Sequence, residues 1–102
     1  MKIVWTEPAV EDLRELHAYI ARDSEMYASG FVERIILAVE QAADHPRVGR
    51  VVPEKNDEDV RELLYQNYRI IYRIKSDKIE VLTVIHGARA LTALKPAPWE
   101  VS

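Results

Sequence analysis

The sequence predicts an α+β fold: an N-terminal strand, an α-helical hairpin, then a three-stranded antiparallel meander, in the order β-α-α-β-β-β. Two observations carry this. Apolar residues recur at helical spacing twice in the first half of the chain, on either side of a short polar break. Past residue 60, three β-rich segments follow one another with only short polar pairs between them, as hairpin turns require.

Lys2 to Trp5 is short, apolar and β-branched, which suits a first strand. Thr6 or Glu7 followed by Pro8 marks a helix start, because proline in the first turn loses no hydrogen bond. Ala9, Leu13, Leu16 and Ile20 then form one apolar stripe, with Glu11, Asp12 and Glu15 on the outer face. After a polar break at Arg22 to Glu25, a second helix runs from about Glu25 to Ala43. It turns Ala28, Phe31, Ile35, Ala38 or Val39, and Ala42 inward, and His45-Pro46 stops it. Gly30 either marks a close helix–helix contact or extends the break to residue 30. Two helices so closely joined form an antiparallel hairpin.

Residues 46–59 hold Pro46, Gly49, Pro53 and an acidic run, and read as a loop. Val60 to Tyr65, Tyr68 to Lys75 and Ile79 to His86 are the strands, with Gln66-Asn67 and Ser76-Asp77 as turns. In the second of them Tyr68, Ile70, Tyr72 and Ile74 share one face, and Arg69, Ile71 and Arg73 the other. These read as central strands with one face under the helices. Ala88 to Leu94 adds one or two helical turns before Pro96-Ala97-Pro98 ends regular structure.

A chain of 102 residues with 48% hydrophobic and 30% charged residues is expected to be a single folded domain, 1–102. It has no cysteine, which removes disulfides, thiol catalysis and thiolate metal sites. No apolar run is long enough for a membrane span and no signal peptide opens the chain, so a cytoplasmic protein is expected. His17, His45 and His86 are scattered, and Gly30, Gly49 and Gly87 are isolated, so neither a metal nor a phosphate-binding glycine loop is expected, and no cofactor. Residues 1–45 carry four basic and nine acidic side chains, whereas residues 46–102 carry ten and eight. An anionic partner for the C-terminal half fits that split, while the overall charge of -3 argues against non-specific binding of free nucleic acid.

His86 and Arg89 stand just after a strand. An imidazole there acts as a general acid or base in phosphodiester cleavage, with the arginine stabilising the phosphate. Alternatively His86 hydrogen-bonds a backbone carbonyl and Arg89 pairs with an acid. Arg61, Arg69 and Arg73 form a second group. Arg69 and Arg73 project from one strand face about 13 Å apart, which suits separate contacts better than one catalytic centre. They equally suit a solvated face laced with pairs to Glu62 or Glu80.

WTEPAVEDL at the first strand and helix, HPRVG after the second helix, REL at Arg61 to Leu63, YRIIYRI at Tyr68 to Ile74 and IEVLTVIHGAR at Ile79 to Arg89 together resemble the RelE/ParE superfamily of toxins. These belong to bacterial type II toxin–antitoxin pairs, and the resemblance covers nearly the whole chain. It implies a helical hairpin on a three- or four-stranded, antiparallel-rich sheet. Ribosome-dependent endoribonucleases of the RelE type use arginines equivalent to Arg69 and Arg89, both present here. They also use two basic residues on the preceding strand, where this chain has Val60 and Glu62, and an aromatic near the C-terminus, where Lys95 stands. HGAR at His86 to Arg89 is similar instead to ParE-like members.

What the closer, ParE-like resemblance implies is a non-enzymatic inhibitor of DNA gyrase that traps the enzyme on cleaved DNA. Arg61, Arg69, Arg73, His86 and Arg89 are then target-contact candidates. Under the RelE-type alternative, Arg69, His86 and Arg89 are the catalytic residues. Either way the resemblance implies a cognate antitoxin, ParD-like for ParE members, in a hetero-oligomeric complex. Val4, Trp5 and Trp99 are candidate anchors for it, and contact with DNA is made only through it.

Overall fold

Thr6 ends the first strand and starts the first helix. In the computed structural model, which describes residues 1–100, β1 spans Lys2–Trp5 and α1 spans Glu7–Ala21. The last two residues of the expected 1–102 unit lie outside the described residues. The Thr6 hydroxyl accepts from the Ala9 amide and donates to the Val81 carbonyl, so one side chain caps the helix and ties it to the sheet. Ser24 caps α2 (Glu25–Asp44) by accepting the Tyr27 amide at 3.1 Å. Ala9 and Leu16 of α1 and Ala28, Phe31, Ile35, Val39 and Ala42 of α2 are buried, as the spacing predicts. Gly30 is a correction to both expectations for it. The helix runs through it unbroken, and a methyl group there would meet only the Arg34 guanidinium at 3.6 Å.

The region read as a loop, residues 46–59, contains a 3-10 turn at Pro46–Val48 and a two-residue strand, β2 (Arg50–Val51). Two residues are too few to show alternation in sequence. β3 (Val60–Tyr65), β4 (Tyr68–Ile74) and β5 (Lys78–His86) form the expected meander. The sheet has five strands in the order β1-β5-β4-β3-β2, with β1 parallel to β5 and every other pair antiparallel.

One sheet face lies under the helices, as expected, and the other is covered as well. Ile70, Tyr72, Ile79, Val81 and Val84 pack under the hairpin. Val52, Val60, Ile71, Leu82, Ile85 and Leu91 form a second cluster on the opposite face, with Leu94 and Trp99 packed against it. The loop before β3 and the chain after β5 supply this second cover, which explains why β5 is apolar on both sides. The expected helical turns over 88–94 reduce to one 3-10 turn, Leu91–Ala93, and a second lies at Pro98–Glu100.

The β4–β5 ladder is interrupted. Ile71 pairs with Thr83 but Tyr72 pairs with Val81, so β5 carries an extra residue there. Such a bulge changes which side chains share a face. Before it Ile79 and Val81 face the helices, and after it Val84 does, while Leu82 and Ile85 face the other way.

Candidate functional site

The bulge decides where His86 points. By simple alternation from Val81, His86 would share a face with Leu82, and with Arg69 and Arg73. Instead it lies against Tyr68 on the helix side, ring centroids 5.2 Å apart and nearly perpendicular. The Ala88 amide donates to its Nδ1 at 3.1 Å, so the neutral ring carries its proton on Nε2. That ring has its acceptor nitrogen committed to the turn and presents a donor to solvent, which suits contact better than proton abstraction.

His86 stands between two depressions. One, about 420 Å³, is shared with Arg89, Asp12, Glu15, Tyr19 and Tyr68. The other, about 230 Å³, is shared with Arg69, Leu64 and Gly87. Arg69 does not line the first and Arg89 does not line the second. The three residues of the endoribonuclease expectation therefore do not converge on one cavity. A phosphodiester in the first depression beside Arg89 would also face the Glu15 carboxylate.

The arginines of the strands are held by carboxylates. Arg69 donates through Nε to Glu62 at 2.6 Å and through both terminal nitrogens to Glu54 at 2.9 Å. Glu62 is fully buried and takes Arg50 on its other oxygen. The result is a ladder, Arg50–Glu62–Arg69–Glu54, running across β2, β3 and β4 and pinning the loop that carries Glu54. Arg61 does not share a face with Arg69. It fastens the same loop from the other side, donating to Glu58 and to the carbonyls of Arg47 and Gly49. Arg73 donates to the Trp99 carbonyl and so ties the C-terminal segment to β4.

Comparison with known proteins adds to this geometry. Residues 3–91 match the family model described as ParE toxin of type II toxin-antitoxin system, parDE. The chain belongs to the ParE toxin family. It is similar to Y4kP of Sinorhizobium fredii, a protein with a provisional toxin designation, at 40% identity over 84% of this chain and 88% of that one. It is also similar to Toxin RelE2 of Caulobacter vibrioides, at 28% identity over 86% of this chain and 97% of that one. A chain from a structure described as a chromosomal ParDE TA system from P. aeruginosa shares the fold, with a TM-score of 0.70, 22% identity, and coverage of 84% and 95%. The protein is thus a toxin of the type II toxin–antitoxin class.

Of the anchors expected for an antitoxin of this ParE-family toxin, Val4 and Trp5 are half-buried in β1. Trp5 borders a groove of about 640 Å³ with Pro8, Val10 and Arg14. Trp99 packs on the second cluster. The larger exposed apolar surface lies elsewhere, on the hairpin: Tyr19 is 66% exposed, Met26 87%, Tyr27 50% and Leu37 50%. Helical spacing alone points to them, since each falls off the inward stripes of its helix. Among the described residues no group of His, Asp and Glu is arranged to hold a metal ion, and no helix is long and apolar enough to cross a membrane.

The ladder has a pH signature. Its hydrogen bond from Arg69 holds the Glu54 carboxyl down at about 2. A depressed carboxyl adds stability above its unfolded value, and that stability is lost as pH falls toward the folded value. The melting temperature of this ParE toxin should therefore drop more steeply between pH 5 and pH 2 than that of Glu54→Gln. Parallel Tm profiles for the two proteins would remove Glu54 from the account.

Proposed function

We propose that this toxin acts by binding DNA gyrase and trapping its cleaved-DNA complex, and that a ParD-like antitoxin neutralises it. The observation that carries the reading is the state of Arg69. A guanidinium that spends three of its five N–H donors on two carboxylates, one of them buried, already has its charge matched, and a phosphate there would have to compete with both carboxylates. Two further observations support the reading: Glu62 stands where an RNA-cleaving relative places a basic residue, and among the described residues Arg69, His86 and Arg89 do not line one cavity. What the chain offers is a contact surface: Arg89, His86 and the adjoining tyrosines. The exposed apolar side chains of Tyr19, Met26, Tyr27 and Leu37 suit cover by a partner segment that folds on binding. DNA contact then belongs to the antitoxin.

The test pairs a supercoiling assay on purified gyrase with a message-cleavage assay in a translating extract. Lost supercoiling, accumulated cleaved DNA and intact message are the expected results. Normal supercoiling with cleaved ribosome-bound message would overturn the proposal. It would also make Arg69 and His86, which share the 230 Å³ depression, the centre of an endoribonuclease.

A further inference from the structure

The arginine-rich half of the chain keeps few uncommitted cations. Arg47, Arg50, Arg61 and Arg69 are paired with carboxylates, and Arg73 is engaged by the Trp99 carbonyl. Arg89 and Lys95 differ: among the described residues neither side chain makes a hydrogen bond or an ion pair. Both are exposed, and both line one cavity of about 270 Å³ between the start of α1, the end of β5 and the C-terminal segment. Leu82, Ile85, Leu94 and Pro96 give that cavity apolar walls. Its one carboxylate, Asp12, is already occupied, accepting from the Thr83 hydroxyl and the Val84 amide.

A volume of about 270 Å³ lies below the roughly 300–1,000 Å³ of a small-molecule cleft. It suits a single large side chain presented by another polypeptide. We infer that this cavity docks an acidic peptide segment of the toxin's target protein. One bulky apolar side chain sits against Leu82, Ile85 and Leu94, and Asp or Glu residues beside it pair with Arg89 and Lys95. The inference rests on the proposal that the target is a protein. Charge complementarity selects the occupant, because the two cations at this cavity stand beside its apolar walls with no carboxylate partner of their own among the described residues. Exposed pairs of this kind are weak singly and screened by salt, so the apolar anchor supplies affinity and the cations supply register.

The experiment is a titration of the ¹⁵N-labelled full chain, followed by NMR, with the peptide Ac-Asp-Glu-Phe-Asp-Glu-NH2 and with Ac-Lys-Lys-Phe-Lys-Lys-NH2. The acidic peptide should shift the amides of Leu82 to Ile85, Arg89, Leu94 and Lys95 saturably, and the basic one should not. Arg89→Glu with Lys95→Glu should weaken the acidic peptide by about tenfold or more without lowering Tm. Shifts absent from the cavity, or equal for both peptides, overturn the inference. In cells Lys95→Glu should relieve growth inhibition while antitoxin binding persists. Growth inhibition retained with antitoxin binding lost would assign the cavity to the antitoxin and overturn the choice of occupant. No gyrase enters the titration, so its failure is separable from failure of the supercoiling assay.

Discussion

Glu62→Ala is expected to destabilise the toxin by about 3–5 kcal/mol, the range for removing one partner of a buried ion pair. The Glu62 carboxylate is fully buried, and it joins Arg50 on one oxygen and Arg69 on the other. Without it two guanidiniums are left side by side at the sheet surface with only Glu54 to share. Against a total stability of about 5–15 kcal/mol this is a large fraction. For a chain of this size it corresponds to a Tm drop of roughly 15–30 °C. The double variant Glu62→Met with Arg69→Met should recover most of the loss, because a buried pair exchanged for apolar side chains of similar volume costs little. Thermal melts of the three proteins decide the matter. A Glu62→Ala protein melting within a few degrees of the parent would mean that the ladder is ornamental. The same logic bears on function: Glu62→Lys, which restores the charge of an RNA-cleaving relative, would crowd a third cation between Arg50 and Arg69 instead of creating a nuclease.

The strand order past residue 60 was legible because hairpin arithmetic is strict. A turn at Gln66-Asn67 forces Leu64 opposite Arg69 and Glu62 opposite Ile71, as observed, and so brings Glu62 and Arg69 within pairing distance. The helices were legible because their stripes keep period over four or five turns. The bulge at Leu82 was not, since β5 is apolar on both faces and one inserted residue leaves no break in its pattern. That single residue moved His86 to the other side of the sheet, and with it the relation of His86 to Arg69. Glu54 was hidden for a different reason. Its bond to Arg69 spans fifteen positions through a loop whose path depends on β2, two residues long. The second core cluster was likewise hidden, because its cover comes from irregular chain with no period to read.

That path in turn depends on Gly49, where the second large effect is expected. Its backbone is extended and any residue adopts it, so the constraint is space. A β-carbon at this position would lie 2.5 Å from the Tyr72 hydroxyl and 2.7 Å from the Glu62 carbonyl oxygen. Neither neighbour has room to yield: Tyr72 is wholly buried, accepts from the Gly49 amide at 3.2 Å and donates to the Pro46 carbonyl at 2.6 Å. Gly49→Ala must then push the loop off β3 and break these bonds. It adds an overpacking cost of about 1–3 kcal/mol to the about 1–3 kcal/mol of leaving buried polar groups unpaired. Tyr72→Phe alone should cost only the second part. In the double variant the hydroxyl clash is gone but the carbonyl clash remains, so the combined loss should fall short of the sum of the singles. Urea unfolding of the four proteins measures that coupling. Strict additivity would show that Gly49 and Tyr72 do not act on each other, and would leave the anchoring of the Glu54 loop to Arg47 and Arg61, which bond its Glu58 and Asp59.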